Sequence, residues 1–347
     1  MGNTTENKKF PYDIQELEPA EKEEIGKLFS SNPPDFVRIS PGGYVVFRRY
    51  QTDAANIYNM PLRPTDIFVA SYQRSGTTWT QELVWLLANN LNYTAAADVP
   101  LVQRYPFIEQ FMFLDKGVNE EIVAQVEDEK KEAVKAIMDS IAEPLSSALK
   151  SAPSPRFVKT HLPMCLLPPK ILDTTKVVYV ARDPRDVAVS SYYHAKLFKL
   201  LNLTGEFKDF WNVFMKGLFT LTPYFAHVKE AWNKRDHPNM LFLFYEELSK
   251  DLAASVERVA KFLGKELTVE QKDRLCEHLK FDNFKNNKSV NYEDMREFGL
   301  LAENESFVRK GKAGGWRDHF DEKMTQEAEQ WIAENLRDTD LRFPHLN

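Results

Sequence analysis

Four short stretches of this chain hold side chains able to bind an anion and move a proton beside it. The first is Arg74-Ser75-Gly76-Thr77-Thr78-Trp79, which sits between an apolar run and a helical pattern. A strand, a glycine-containing turn and a helix start present unpaired backbone N–H groups and a positive dipole end to an anion. Ser75, Thr77 and Thr78 add hydroxyl donors, and Arg74 adds a permanent cation that can make two parallel hydrogen bonds to an oxyanion. The G-x-x-x-x-G-K-[ST] spacing of nucleotide triphosphatases is absent. The plain alternative is a capped helix whose hydroxyls satisfy its own backbone.

The second stretch is Phe157-Val158-Lys159-Thr160-His161-Leu162-Pro163. On an extended chain, side chains two apart share a face, so Lys159 and His161 point the same way at a strand end. Histidine there can take a proton from a hydroxyl, since its pKa lies near working pH. A lone histidine is more often bonded to backbone. His161, however, is the one among seven histidines that closes a core strand in the sequence pattern. In the third stretch, Ala181-Arg182-Asp183-Pro184-Arg185-Asp186, proline and an acidic turn mark a helix start, with Ser190 about two turns later. Arg182 either faces an anion or pairs with Asp183 or Asp186. The fourth, Phe307-Val308-Arg309-Lys310-Gly311-Lys312-Ala313-Gly314-Gly315-Trp316, is a flexible basic loop able to wrap a phosphate, or else a solvated charge run.

The elements that must position these residues follow from a recurring rhythm, a short apolar run and then a helical pattern. The runs are Ile67-Phe68-Val69-Ala70, Arg156-Phe157-Val158-Lys159, Val177-Val178-Tyr179-Val180-Ala181 and Leu241-Phe242-Leu243-Phe244. Continuous hydrophobicity predicts burial on both faces, hence an α/β fold with a central parallel sheet flanked by helices. Helices are expected over Thr78–Asn90, Asp186–Lys199, Phe207–Phe225, Leu252–Leu263, Val269–Leu279 and Lys323–Leu336. Ligands in such folds collect at the carboxyl ends of the strands, where the first three stretches lie. Gly117–Ala148 breaks the rhythm, with Ile122, Val126, Val134, Ile137, Met138 and Ile141 at mostly helical spacing around a charge run. It reads as a surface amphipathic helix or as a lid whose apolar face covers a cavity.

Length allows two domains or one large α/β unit: 347 residues. A net charge of −6 gives no basic field for a nucleic acid. Two cysteines, Cys165 and Cys276, argue against a disulfide framework and a cysteine-ligated zinc. No apolar run is long enough to span a membrane, and the first residues lack an apolar signal core, so a cytoplasmic location is expected.

Together the four stretches resemble the cytosolic sulfotransferase family. Ser-Gly-Thr-Thr-Trp at 75–79, Lys-Thr-His-Leu-Pro at 159–163, Tyr-Val-Ala-Arg-Asp-Pro-Arg-Asp-Val-Ala-Val-Ser at 179–190 and Arg-Lys-Gly at 309–311 carry the likeness. It runs from Phe10-Pro11-Tyr12 to Leu341-Arg342-Phe343 and is strongest toward insect members, the retinol dehydratases among them. The resemblance implies a single P-loop-like sulfotransferase domain over residues 1–347, with a helical lid insertion near 117–148. It implies a transferase whose donor is 3′-phosphoadenosine 5′-phosphosulfate (PAPS, product PAP), with no metal. Arg74, Ser75, Gly76, Thr77 and Thr78 would then hold the 5′-phosphosulfate, and Arg182, Ser190, Arg309, Lys310 and Gly311 the 3′-phosphate. Trp79 and Phe281 would stack on adenine and Tyr245 would bond its edge. His161 would be the general base, with Lys159 and Arg74 completing the catalytic group.

The chain also departs from the family pattern. Arg74, preceded by Gln73, replaces the usual lysine and keeps the charge without being a proton donor. Leu279 replaces a residue that often contacts adenine through a hydroxyl. The family's homodimer motif, K-x-x-x-T-V-x-x-x-E, is largely lost over 317–326. The expected reaction is sulfuryl transfer to a small apolar hydroxylated acceptor, such as a phenol, steroid or retinoid alcohol of lipid or xenobiotic metabolism. Phe107, Phe111 and Phe113 are expected to line its pocket. The alternative is a retinol dehydratase-type conversion, in which an allylic alcohol is sulfated and then eliminated. From other classes come a magnesium-dependent kinase, whose glycine-lysine loop is missing, and a non-catalytic carrier of an apolar ligand.

Overall fold

The computed structural model describes residues 9–114, 120, 122–124, 126–198, 202–302 and 306–344. Of the expected insertion, positions 117–119, 121 and 125 lie outside the described residues.

The four apolar runs form one parallel sheet. Its strands are β4 (Ile67–Ala70), β5 (Phe157–Thr160), β6 (Lys176–Ala181) and β7 (Met240–Phe244), in spatial order β5-β4-β6-β7. Register fixes where the chemistry goes. Ala70 pairs with Thr160 and with Tyr179, and Ala181 pairs with Phe244, so all four strands stop along one edge. Ser71, His161, Arg182 and Tyr245 are the first residues beyond those ends.

Alternate strand residues feed two cores. Val69, Val178, Val180 and Leu243 pack with Leu83, Val84 and Leu87 of the Thr77–Ala88 helix and with Val256 and Val259 of the Leu252–Leu263 helix. Phe68, Val177, Tyr179 and Ala181 pack the other way, on an aromatic cluster that includes Trp211, Phe214 and Tyr224. Each fully buried aliphatic or aromatic side chain stabilises the fold by about 1.5–3 kcal/mol, which is why apolar residues on both faces of a strand specify this two-sided burial.

Helix ends follow their local signals. Asp183 accepts from the Arg185 N–H at 2.9 Å and Pro184 occupies the first turn of the Pro184–Leu197 helix. Gly264 takes φ +69° to close the Leu252–Leu263 helix. The expected single helix over Phe207–Phe225 is instead two, Phe207–Met215 and Tyr224–Trp232. Gly217 at φ +73° and Pro223 at the second helix's start break it. A three-stranded antiparallel sheet, β1 (Ile14–Glu16), β2 (Phe36–Ile39) and β3 (Tyr44–Phe47), was not legible in the sequence pattern. No helix among the described residues is long and apolar enough to cross a membrane.

Candidate active site

The turn after β4 sets the polar floor of a cavity of about 900 Å³. Arg74 and Gly76 both adopt positive φ, +65° and +99°, which turns the chain sharply into the Thr77–Ala88 helix. A side chain at Gly76 would come within 2.6 Å of the Tyr245 ring, so only glycine lets the turn approach the end of β7. Thr77 and Thr78 line the cavity at the helix start. Ser75 does not: it is fully buried, and its hydroxyl has no hydrogen-bond partner among the described residues.

His161 is held from three sides. Its Nδ1 lies 3.0 Å from the Ser71 carbonyl, which can only accept, so Nδ1 carries the proton and Nε2 keeps its lone pair. Its backbone N–H donates to Glu109 Oε1, and the Thr160 hydroxyl donates to Glu109 Oε2 at 3.0 Å. Its carbonyl accepts from His227 Nε2 at 2.8 Å, and Tyr179 in turn donates to His227 Nδ1 at 2.8 Å. Burial, with Lys159 nearby, holds the His161 pKa well below the usual imidazole value. The ring is therefore neutral at pH 7, the form a base requires.

Glu109, His227 and Tyr179 escaped the sequence reading. The one available signal for Glu109 was a lone carboxylate inside the apolar stretch 107–113. Burial pushes its pKa up to about 7. Lys159 is lowered to about 8 by burial, with Glu109 pulling the other way, and its Nζ sits 4.1 Å from the Phe107 ring centre.

The cations converge on the same floor. Arg74 donates through Nε to Ser190 Oγ at 3.1 Å and through Nη2 to the Phe307 carbonyl at 2.9 Å. Arg182 donates to the Arg74 carbonyl and the Lys312 carbonyl, both at 3.2 Å, and lies 4.2 Å over the Tyr245 ring. Its Nε is buried without a hydrogen-bond partner among the described residues. The alternative partner Asp186 is only loosely paired with it at 3.8 Å, because the Asp186 oxygens accept the Gly314 and Trp316 N–H groups at 2.6 and 2.8 Å. Arg309 and Lys310 reach the cavity from the basic loop, with Arg309 4.3 Å over the Tyr193 ring. Burial, then the neighbouring Arg182, lowers the Arg74 pKa to about 10. Like charges crowded in this way call for an anion between them.

Beside the cations stand three rings. Trp79 donates its indole N–H to the Leu279 carbonyl at 2.9 Å and meets Tyr245 edge-on at 5.9 Å. Phe281 lies so close to Gly311 that a β-carbon there would fall 1.9 Å from its ring. The opposite end of the cavity is apolar. Phe107 and Phe113 line it, as do Ile137, Met138 and Ile141 of the Lys131–Ala142 helix. That helix turns its charges outward, with Lys135 and Asp139 paired at 2.5 Å. Phe111 corrects the expectation for the pocket: it is fully buried in the main core and does not reach the cavity. Among the described residues no group of three or more His, Cys, Asp or Glu is placed to hold a metal ion.

The chain as a whole is also similar to known proteins. A family profile described as "Sulfotransferase domain" matches residues 64–340. Luciferin sulfotransferase of Photinus pyralis is 35% identical over 287 residues, covering 81% of this chain and 74% of its own. Sulfotransferase 1B1 of Canis lupus familiaris is 31% identical over 317 residues, 90% of this chain and 98% of its own. Among solved structures, retinol dehydratase in complex with androsterone and the inactive cofactor PAP superposes with a TM-score of 0.93 at 56% identity, covering 97% of this chain and 99% of that one. Its complex with retinol and PAP gives 0.92 at 56% identity, over 96% and 99%.

Proposed function

Because this chain belongs to the sulfotransferase family, we propose that its basic floor holds PAPS and that His161 prepares the hydroxyl of an apolar alcohol for sulfuryl transfer. One observation carries the reading. A neutral, buried imidazole with a free Nε2 stands where a cluster of cations meets an aromatic chamber, all in one cavity.

The residues fit the donor. Arg182 Nε is a buried N–H with no partner among the described residues, and the Gly76 turn leaves no room for a side chain beside Tyr245. Arg74, Gly76, Thr77 and Thr78 would hold the 5′-phosphosulfate, with Ser75 shaping the turn from behind. Arg182, Ser190, Arg309, Lys310 and the Gly311 backbone would hold the 3′-phosphate, and Trp79, Phe281 and Tyr245 the adenine. When bound, PAPS supplies a sulfuryl group on a phosphate leaving group. His161 Nε2 takes the acceptor's hydroxyl proton. Lys159 and Arg74 stabilise negative charge on the oxygens around sulfur, a role preorganised donors fill without a metal. Arg74 acts there by charge alone, since guanidinium does not give up a proton at neutral pH.

Phe107, Phe113 and the Lys131–Ala142 helix would enclose the acceptor and exclude water, the helix acting as a lid. Cys165 and Cys276 are both free thiols, which supports a cytoplasmic location. Arg317 and Asp321, in the segment where the dimer motif is lost, serve the chain itself. Arg317 lies 4.7 Å over Trp316, and Asp321 accepts from the Met324 N–H at 2.7 Å.

A second reading is favoured by the 56% identity to retinol dehydratase over 97% of the chain: the sulfated allylic alcohol goes on to eliminate. Incubation with PAPS and a panel of phenols, steroids and retinoid alcohols, in EDTA, tests both. Transfer to an apolar alcohol that survives EDTA is expected, and mass spectrometry separates a sulfate ester from an anhydro product. Absence of PAP binding by calorimetry would overturn the whole assignment.

A further inference from the structure

Dehydration removes two protons from the alcohol, one from oxygen and one from carbon, and His161 can take only the first. In the transfer step the O–H bond breaks, the oxygen bonds to sulfur, and the proton goes to Nε2. The ring then carries protons on both nitrogens, because Nδ1–H is already committed to the Ser71 carbonyl. In the second step the C–O bond breaks and sulfate leaves with the electron pair. A C–H bond conjugated to the resulting cation then breaks. Its electrons form the new C=C bond, and its proton needs an acceptor on the wall of the cavity.

The described residues on the cavity wall leave few choices. The sole carboxylate there is Asp186, and both of its oxygens are engaged by backbone N–H groups. The imidazoles there are His161 and His194. His194 lies on the Pro184–Leu197 helix four residues after Ser190, hence on the same face and about one turn beyond the contact of Ser190 with Arg74. Its ring centre is 4.8 Å from that of Phe198 and 5.9 Å from that of Phe307, at the passage from the cations to the apolar chamber. Neither of its ring nitrogens has a hydrogen-bond partner among the described residues. From this position we infer that His194 accepts the carbon-borne proton in the elimination, an assignment that rests on the dehydration reading above. Burial, with Arg74 and Lys159 nearby, also keeps this imidazole neutral. A weak base suffices, since a C–H next to an allylic cation is strongly acidic.

The test uses the full chain with PAPS and retinol, quantifying sulfate ester and alkene together. The native protein is expected to yield mainly alkene. In His194→Phe, a ring suited to the Phe198 and Phe307 neighbours, the alkene-to-ester ratio should fall by about 100-fold, the scale of a general base. His194→Ala should show the same fall, reversed by free imidazole, which a merely structural role would not predict. If His194→Phe does not fold, His194→Gln is read in the same way. An unchanged ratio in the folded variants overturns the role of His194 and leaves the dehydration reading standing. Ester alone from the native protein overturns the dehydration reading, and this inference with it.

Discussion

The two ends of the cavity are built by different forces. At the basic end hydrogen bonds tether Arg74 to Ser190 and Phe307, Arg182 to two carbonyls, Trp79 to Leu279, and His161 to Ser71 and Glu109. At the apolar end, Phe107, Phe113, Ile137, Met138 and Ile141 meet the cavity mainly through aliphatic and aromatic surface. Hydrogen bonds fix positions to fractions of an ångström, while dispersion contacts tolerate rearrangement at similar volume. The basic end thus has one geometry for one donor. In the proposed function the apolar end would set which acceptor enters, and could change without disturbing the chemistry.

The sharpest division of labour should appear in His161→Ala. Turnover is expected to fall about 10²–10⁴-fold, the usual contribution of a general base, while PAP affinity measured by calorimetry stays close to native. Equal loss of both would merge the two ends into one cooperative unit. Lys159 gives the next largest effect. Its pKa of about 8 means the side chain is charged below that pH and neutral above it. Turnover should therefore decline as pH rises through about 8, approaching the roughly 10²–10³-fold loss seen when one preorganised donor is removed. Lys159→Arg should move this limb out of the measurable range, and a limb left in place would assign it to another group.

Gly76→Ala probes the tether itself. The substitution meets both an unfavourable φ of +99° and the Tyr245 ring at 2.6 Å. A cost of about 1–3 kcal/mol should weaken PAP binding roughly 10- to 100-fold, with little change in acceptor preference. A changed acceptor preference with intact PAP binding would invert the comparison.

The same contrast explains what the sequence disclosed. A turn fit for an anion needs glycine at positive φ, hydroxyls at a helix start and cations at fixed offsets, so Arg74–Trp79, Lys159–His161 and Arg309–Gly311, which meet in one cavity, could be read directly as candidates. The strands were legible because burial on both faces demands unbroken apolar runs. The apolar end was only half legible. Phe107, Phe111 and Phe113 are of one residue type in one short stretch, yet Phe111 turns into the core while the other two reach the cavity, as tertiary packing rather than residue type decides. Glu109 and His227 were missed because their work is to hold the backbone of His161, which leaves no pattern in a single sequence. The β1–β3 sheet was missed because strands of three and four residues carry too little alternation to register.

At the apolar end, Ile141→Ala tests whether the Lys131–Ala142 helix is a wall of the acceptor site. Removing that side chain should raise KM for a bulky apolar alcohol about tenfold, the effect of losing one or two buried methylene contacts, and leave KM for PAPS alone. No change in either constant would return the helix to the status of surface decoration.

The smallest effect is expected where the two ends touch, in Arg74→Lys. Both residues must adopt the same φ of +65°, so backbone strain cancels in the comparison. Lysine forfeits the bond from Nε to Ser190, the bond to the Phe307 carbonyl and the contact 4.8 Å over the Phe307 ring. One of those bonds can be remade by an ammonium group, leaving a net loss of about 1 kcal/mol and a few-fold weaker hold on PAP as the loop at Phe307 loosens. Against this, lysine can donate a proton to the departing oxygen, so turnover toward a simple phenol should be retained or rise. Single-turnover kinetics separates the two contributions. A collapse of the chemical step would show that the guanidinium fork is itself needed at sulfur, and that the basic end tolerates no substitution even of like charge.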